Sequence, residues 1–210
     1  DTTIGKCESI DLVGTVTDGA AASYAWSPAS GLSATNVQSP TLDASLLNNG
    51  SITYTVTATD AVGCTDVDSV TVTVDSLSVT TLTDSTNGMC TTIDLVSTVD
   101  NGSPDTYAWS PAAGLNNTDV LSPTLDMSII TDGAHTYTIT VTDIYGCTDV
   151  DSVTITNDSL SVTTLADSTI GHCATINLAT TIDDGSDDTY AWSPTTGLSA
   201  TDVLSPDLDA

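Results

Sequence analysis

The pentapeptide Tyr-Ala-Trp-Ser-Pro begins at Tyr24, at Tyr107 and again at Tyr190, 83 residues apart each time. A repeat of fixed period constrains a fold strongly, because each copy must be one structural unit. The cysteines keep the same register: Cys7, Cys90 and Cys173 form one series, and Cys64 and Cys147 a second. The 210 residues therefore read as two and a half copies of one unit. Residues 1–75 form a first copy with its first strand truncated, 76–158 a complete second copy, and 159–210 the N-terminal part of a third. Both ends fall at arbitrary phases of the unit, as expected of a window on a longer array.

Within each unit the pattern is β. Thr136-Tyr137-Thr138-Ile139-Thr140-Val141-Thr142 alternates with period two, which sends Tyr137, Ile139 and Val141 to a core and the threonines to solvent. Turn clusters such as Asp100-Asn101-Gly102-Ser103-Pro104 and Tyr145-Gly146-Cys147 punctuate the runs. No stretch combines a helical period with caps. About seven short strands per unit predict an all-β chain of tandem immunoglobulin-like sandwiches. No Gly/Ser or Pro linker separates the units, so the array is expected to be stiff.

Composition excludes several function classes. One Lys (Lys6) stands against 28 acids, a net charge of −27. No cationic set exists to displace counterions from phosphates, which excludes nucleic acid as a partner. Anionic membrane surfaces are disfavoured for the same reason, and no apolar run is long enough to insert in a membrane. Asp1 does not begin a signal peptide, so a mature, internal or trimmed chain is expected. His135 and His172 are not kept between copies, and no nucleophile, base and oxyanion donors assemble into a motif. The expectation is a protein that is not an enzyme.

The motifs Tyr-Ala-Trp-Ser-Pro-x-x-Gly-Leu, Ser-Pro-Thr-Leu-Asp and Tyr-Thr-Val-Thr-Ala-Thr-Asp-Ala-Val-Gly-Cys-Thr together resemble the PKD-like repeats of giant surface proteins of the Bacteroidota. The resemblance covers the whole chain. It implies PKD-like sandwiches, type IX secretion, and a part in gliding, attachment or prey capture. It also implies that the chain's partners are neighbouring repeats and further copies in a homo-oligomeric filament. Two other readings stay open: a glycan-binding module, and an accessory region of a secreted hydrolase.

Four residue sets are candidate sites. Cys7 with Cys64, and Cys90 with Cys147, stand 57 residues apart inside one unit. If paired strands bring both to one end of a sandwich, each pair closes an intra-unit disulfide, which places the chain in an oxidising, extracellular setting. Buried free thiols are the alternative. Asp60, Asp66 and Asp68 recur as Asp143, Asp149 and Asp151, oxygen ligands alternating near a turn as Ca²⁺ takes them. Turn capping and protection of sheet edges is the other use of such acids. Acids near the junctions (Asp75, Asp84, Asp158, Asp167) allow Ca²⁺ there too. Trp26, Trp109 and Trp192 fit a core plug better than a sugar platform. Finally, Asp followed by Ser or Thr is similar to the O-glycosylation motif of exported proteins of that phylum, which marks Ser69, Ser76, Ser152 and Ser159.

The partial third unit carries its own expectation. Trp192 should be more exposed than Trp109, and Cys173 unpaired. Its missing strands would come from the same parent chain or from a neighbouring copy.

Overall fold

The computed structural model describes residues 1–17, 19–183 and 189–209, with the side chain of Asp183 outside the description. Unit one consists of β1 (Thr2–Gly5), β2 (Ser9–Asp11), β3 (Ala21–Ser27), β4 (Thr41–Asp43), β5 (Gly50–Asp60) and β6 (Thr65–Asp75). Unit two consists of β7 (Val79–Thr81), β8 (Ser85–Gly88), β9 (Thr92–Asp94), β10 (Ser97–Val99), β11 (Pro104–Ser110), β12 (Thr124–Asp126), β13 (Gly133–Asp143) and β14 (Thr148–Asp158). Unit three contributes β15 (Ser161–Thr164), β16 (Thr175–Asn177), β17 (Thr180–Asp183) and β18 (Asp207–Asp209).

Unit two displays the whole plan. One sheet has the order β11-β13-β14-β8, and facing it are the pairs β10-β7 and β12-β9. The alternating run forms the long β13–β14 hairpin. Tyr137, Ile139 and Val141 point inward with Val153 and Ile155, and all five are fully buried. Their outward neighbours form hydroxyl pairs such as Thr136–Thr154 at 3.2 Å. Trp109 fills the space between the sheets beside Leu95, Leu125 and Met127. The strand β8 runs parallel to β14, pairing Ser85 with Ile155 and Gly88 with Asp158. That one parallel pairing fixes where each cysteine of the unit lies.

The described residues of units one and three show part of this plan. In unit one β1 is the equivalent of β8, and the unit's described residues hold no counterpart of β7. Its residues 13–16, which correspond to β10 and its approach, accordingly form no strand. Val56 and Ala58, the counterparts of buried Ile139 and Val141, are left partly exposed. Unit three keeps the equivalents of β7, β9, β10 and β12 as β15, β16, β17 and β18, paired as β15-β17 and β16-β18. Trp192 is partly exposed, whereas Trp109 retains 4% of its surface, and Cys173 is a free thiol.

Candidate functional site

The feature that does not repeat within a unit is the joint between units one and two. The turn after β1 brings Cys7 to the C-terminal end of unit one, and Glu8 N donates to Gly5 O at 3.0 Å to close that turn. The turn between β13 and β14 places Cys147 at the N-terminal end of unit two. There the Asp143 carboxylate caps the loop, with Oδ1 accepting from Tyr145 N at 2.9 Å and Cys147 N at 2.8 Å. The two turns meet, and Cys7 and Cys147 form a disulfide with a Cα separation of 5.5 Å, across 140 residues of sequence.

This pairing corrects the intra-unit expectation. Cys7 does not bond Cys64, and Cys90 does not bond Cys147; Cys64 and Cys90 are exposed free thiols. The reason is the direction of β8. Because it runs parallel to β14, Cys90 after its end lies where β14 finishes, whereas Cys147 lies where β14 begins. The eleven residues of β14 hold those ends about 36 Å apart at the usual strand rise. No disulfide spans that distance.

Other groups lock the joint. The Asp75 carboxylate, at the end of β6, accepts from Gly102 N at 2.9 Å and from Ser103 Oγ at 3.2 Å. Lys6 N donates to the Asp75 carbonyl at 3.0 Å. Two glycines permit the approach. A Cβ on Gly5 would lie 2.6 Å from both Cys147 Sγ and Tyr145 Cβ, and one on Gly102, at φ +81°, would lie 2.8 Å from Leu77 Cα. Gly5, Gly102 and Tyr145 escape a reading of the sequence for chemistry. Their only signal is position: Gly5 recurs as Gly88 and Gly171, and Gly102 matches Gly19.

Five of the six acids read as Ca²⁺ ligands accept hydrogen bonds from the backbone. Asp60 repeats the turn cap of Asp143, with Oδ1 accepting from Val62 N and Cys64 N. Asp149 Oδ2 accepts from Val79 N at 2.8 Å, and Asp151 Oδ2 from Thr81 N at 2.7 Å. They thereby fasten β7 to β14 across the edge of the sandwich. In unit one, Asp68 accepts from Ser69 N, and Asp66 is exposed. Among the described residues, no three His, Cys, Asp or Glu side chains converge to hold a metal ion. The Thr81 backbone hydrogen bond, helped by smaller ones from Ser152 N and the Thr81 hydroxyl, holds the Asp151 carboxyl below its usual range, against an opposing effect of burial. Asp143 is buried, and its Oδ2 has no hydrogen-bond partner.

The remaining candidates are scattered. Trp26 and Trp109 are buried and donate from Nε1 to Val37 O at 3.0 Å and Val120 O at 3.1 Å. Neither offers a ring face to a sugar. Ser69 and Ser152 are exposed on β6 and β14, whereas Ser76 and Ser159 are half-buried just past the ends of those strands. His135 Nε2 lies 2.8 Å from Thr131 O. No helix among the described residues is long and apolar enough to cross a membrane.

Comparison with known proteins finds one matching family model and a set of similar solved structures. The family model for the K319L-like PKD domain matches residues 1–74. No curated protein matches the chain. Among solved structures, the chain is similar to three N-terminal domains of the highly immunogenic outer capsid protein of bacteriophage RB49, at 17% identity and TM-score 0.44, covering 98% of this chain and 84% of that one. It is also similar to titin domains I67–I69, at 13% identity and TM-score 0.44, covering 99% and 84%. A third is the protocadherin gamma B7 ectodomain, at 10% identity and TM-score 0.43, covering 99% and 65%. The chain is an all-β array of tandem immunoglobulin-like sandwiches, and its first repeat, residues 1–74, matches the K319L-like PKD domain model.

Proposed function

We propose that this chain is a load-bearing repeat segment of a secreted bacterial surface adhesin or filament, serving attachment, gliding or prey capture. The observation that supports this reading is the disulfide across the joint. Tension applied at the two ends enters at β1, passes from Cys7 through the sulfurs to Cys147, and leaves along β14. The residues between the two cysteines lie in a closed loop that carries no load while the bond holds. A catalytic or ligand-binding module gains nothing from such a bypass, but a stalk does. The bond also implies an oxidising, extracellular setting. The acidic surface keeps neighbouring molecules apart by like-charge repulsion.

Single-molecule stretching tests the reading. The 140-residue separation of the bonded cysteines hides about 490 Å of contour at ~3.5 Å per residue. Oxidised protein pulled from its ends should fall short of reduced protein by that length. Equal contour lengths in the two states would remove the mechanical argument.

A further inference from the structure

Glycine follows asparagine three times in the chain, at Asn49-Gly50, Asn87-Gly88 and Asn101-Gly102. Such a pair is chemically labile, because an amide nitrogen with no Cβ beside it reaches the preceding side-chain carbonyl carbon easily. Two of the pairs are held by strands. Gly50 opens β5 opposite Val74, and Asn49 Oδ1 accepts from Ser76 N at 3.4 Å. Asn87 and Gly88 pair with Asn157 and Asp158 inside β8, and Asn87 Nδ2 donates to Ser85 Oγ at 2.9 Å. Asn101 differs. It is exposed in the turn before β11, at φ +61°, a left-handed conformation that Asn tolerates. Among the described residues no hydrogen bond holds its side chain.

The joint equips this third pair for reaction. Gly102 N, the nitrogen that would attack, donates to Asp75 Oδ1 at 2.9 Å. A carboxylate at that distance is within reach of the proton that must leave. The N–H lies in the peptide plane, so the contact leaves both faces of the nitrogen open to a carbon. The joint also makes the glycine obligatory, because a Cβ on Gly102 would lie 2.8 Å from Leu77 Cα. The position before that glycine reads Asp18 in unit one and Asp184 in unit three. Aspartate is what loss of the Asn101 side-chain amide produces.

We propose that Asn101-Gly102 is a self-modification site, at which Asp75 is the general base for loss of the Asn101 side-chain amide. Gly102 N attacks Asn101 Cγ as its proton passes to Asp75 Oδ1, and a C–N bond forms. The Cγ–Nδ2 bond then breaks, and ammonia leaves with the proton returned from Asp75. The product is a cyclic imide, a succinimide. Water opens it at Cγ to give Asp, or at the Asn101 backbone carbonyl to give isoaspartate. Neither step needs an oxidant or a reductant. The Asp form matches the sequence of the neighbouring units and leaves the joint closed. The isoaspartate form routes the main chain through Cβ and Cγ, which lengthens it by a methylene and moves Gly102 N away from Asp75. The joint thus carries a chemical clock that loosens its hydrogen bonds while the Cys7–Cys147 bond persists. This inference rests on the geometry of the joint, not on the surface role.

The test ages the full chain at neutral pH, folded and in urea, and follows all three Asn-Gly pairs by peptide mapping. An isoaspartyl methyltransferase marks the isoaspartate. In urea the three pairs should age alike. In the folded chain Asn101 should outpace Asn49 and Asn87, and outpace itself in urea, by about tenfold or more, as a positioned but weak base allows. Asp75→Asn keeps an oxygen that can accept from Gly102 N but removes the base, so folded Asn101 should fall back to its rate in urea or below. Disulfide mapping of that variant checks that the joint has formed. Should it fail to form, the comparison of folded and urea-treated parent decides alone. Amide exchange at Gly102 and Ser103 should rise with isoaspartate content in the aged parent and stay low in Asn101→Asp. Folded Asn101 ageing more slowly than in urea, or Asp75→Asn ageing faster than the parent with the disulfide intact, would mean that Asp75 shields the amide and would overturn the proposal. Exchange at Gly102 that is indifferent to isoaspartate content would overturn the clock.

Discussion

Tyr137 carries a disproportionate share of its unit. Its ring is fully buried, and its hydroxyl donates to Ala113 O at 2.8 Å, tying the long hairpin to the loop after β11. Tyr54 makes the same bond to Ser30 O at 2.7 Å in unit one. Burial pushes both phenols above their ordinary range, so neither ionises near neutral pH. Tyr137→Phe keeps the packing but leaves the Ala113 carbonyl without this donor. The expected loss is about 1–2 kcal/mol, read as a lower denaturant midpoint with an unchanged slope. A midpoint identical to the parent would mean that water replaces the hydroxyl at no cost.

At the scale of elements, β7 is the strand most dependent on charge. It pairs with β10 over three residues, and its other edge is held by Asp149 and Asp151. Because the folded Asp151 carboxyl titrates below its ordinary value, its contribution is complete above the ordinary carboxylate range. It is lost as pH falls through the ordinary carboxylate range toward the lowered folded value. Amide exchange at Val79 and Thr81 should therefore accelerate in that window, ahead of the Tyr137 and Ile139 amides. Asp151→Asn should raise exchange at neutral pH and flatten its acid dependence. Acceleration of all four amides together would show instead that the sandwich opens as one unit.

The same elements show what could be read in the sequence. The period-two run over Tyr137–Val141 named its own inward face, because alternation is a local property of a strand. The three tryptophans read as core plugs, and two are. The disulfide could not be read. Its partner depends on whether β8 runs parallel or antiparallel to β14, a non-local choice that sets which end of the sandwich Cys90 occupies. Equal spacing of Cys7–Cys64 and Cys90–Cys147 fits intra-unit pairing and a joint alike. The aspartates were ambiguous for a related reason. Backbone amides from β7 take the carboxylates of Asp149 and Asp151, and the sequence alone does not place β7 at that edge.

For the whole molecule, the joint ties the first two sandwiches into a single covalent frame. In the chain-entropy model a closed loop of this length is worth about 5 kcal/mol against complete unfolding, comparable to the net stability of one domain. Losing it should loosen the joint more than either core, because no core residue of one unit belongs to the core of the other. Cys7→Ser should therefore leave each sandwich folded, while Gly102 and Ser103 become more accessible as the Asp75 contacts weaken. Retained protection of both would mean that the hydrogen bonds alone close the joint.

The most direct measurement of the central claim is disulfide mapping of the non-reduced chain. Lys6 is the only tryptic site, so cleavage at aspartate and at aromatic residues is needed to separate the five cysteines. The account predicts one linked pair, Cys7 with Cys147, and free thiols at Cys64, Cys90 and Cys173. Linked peptides joining Cys7 to Cys64 and Cys90 to Cys147 would contradict it, because each unit would then be closed on itself with no covalent bond across the joint.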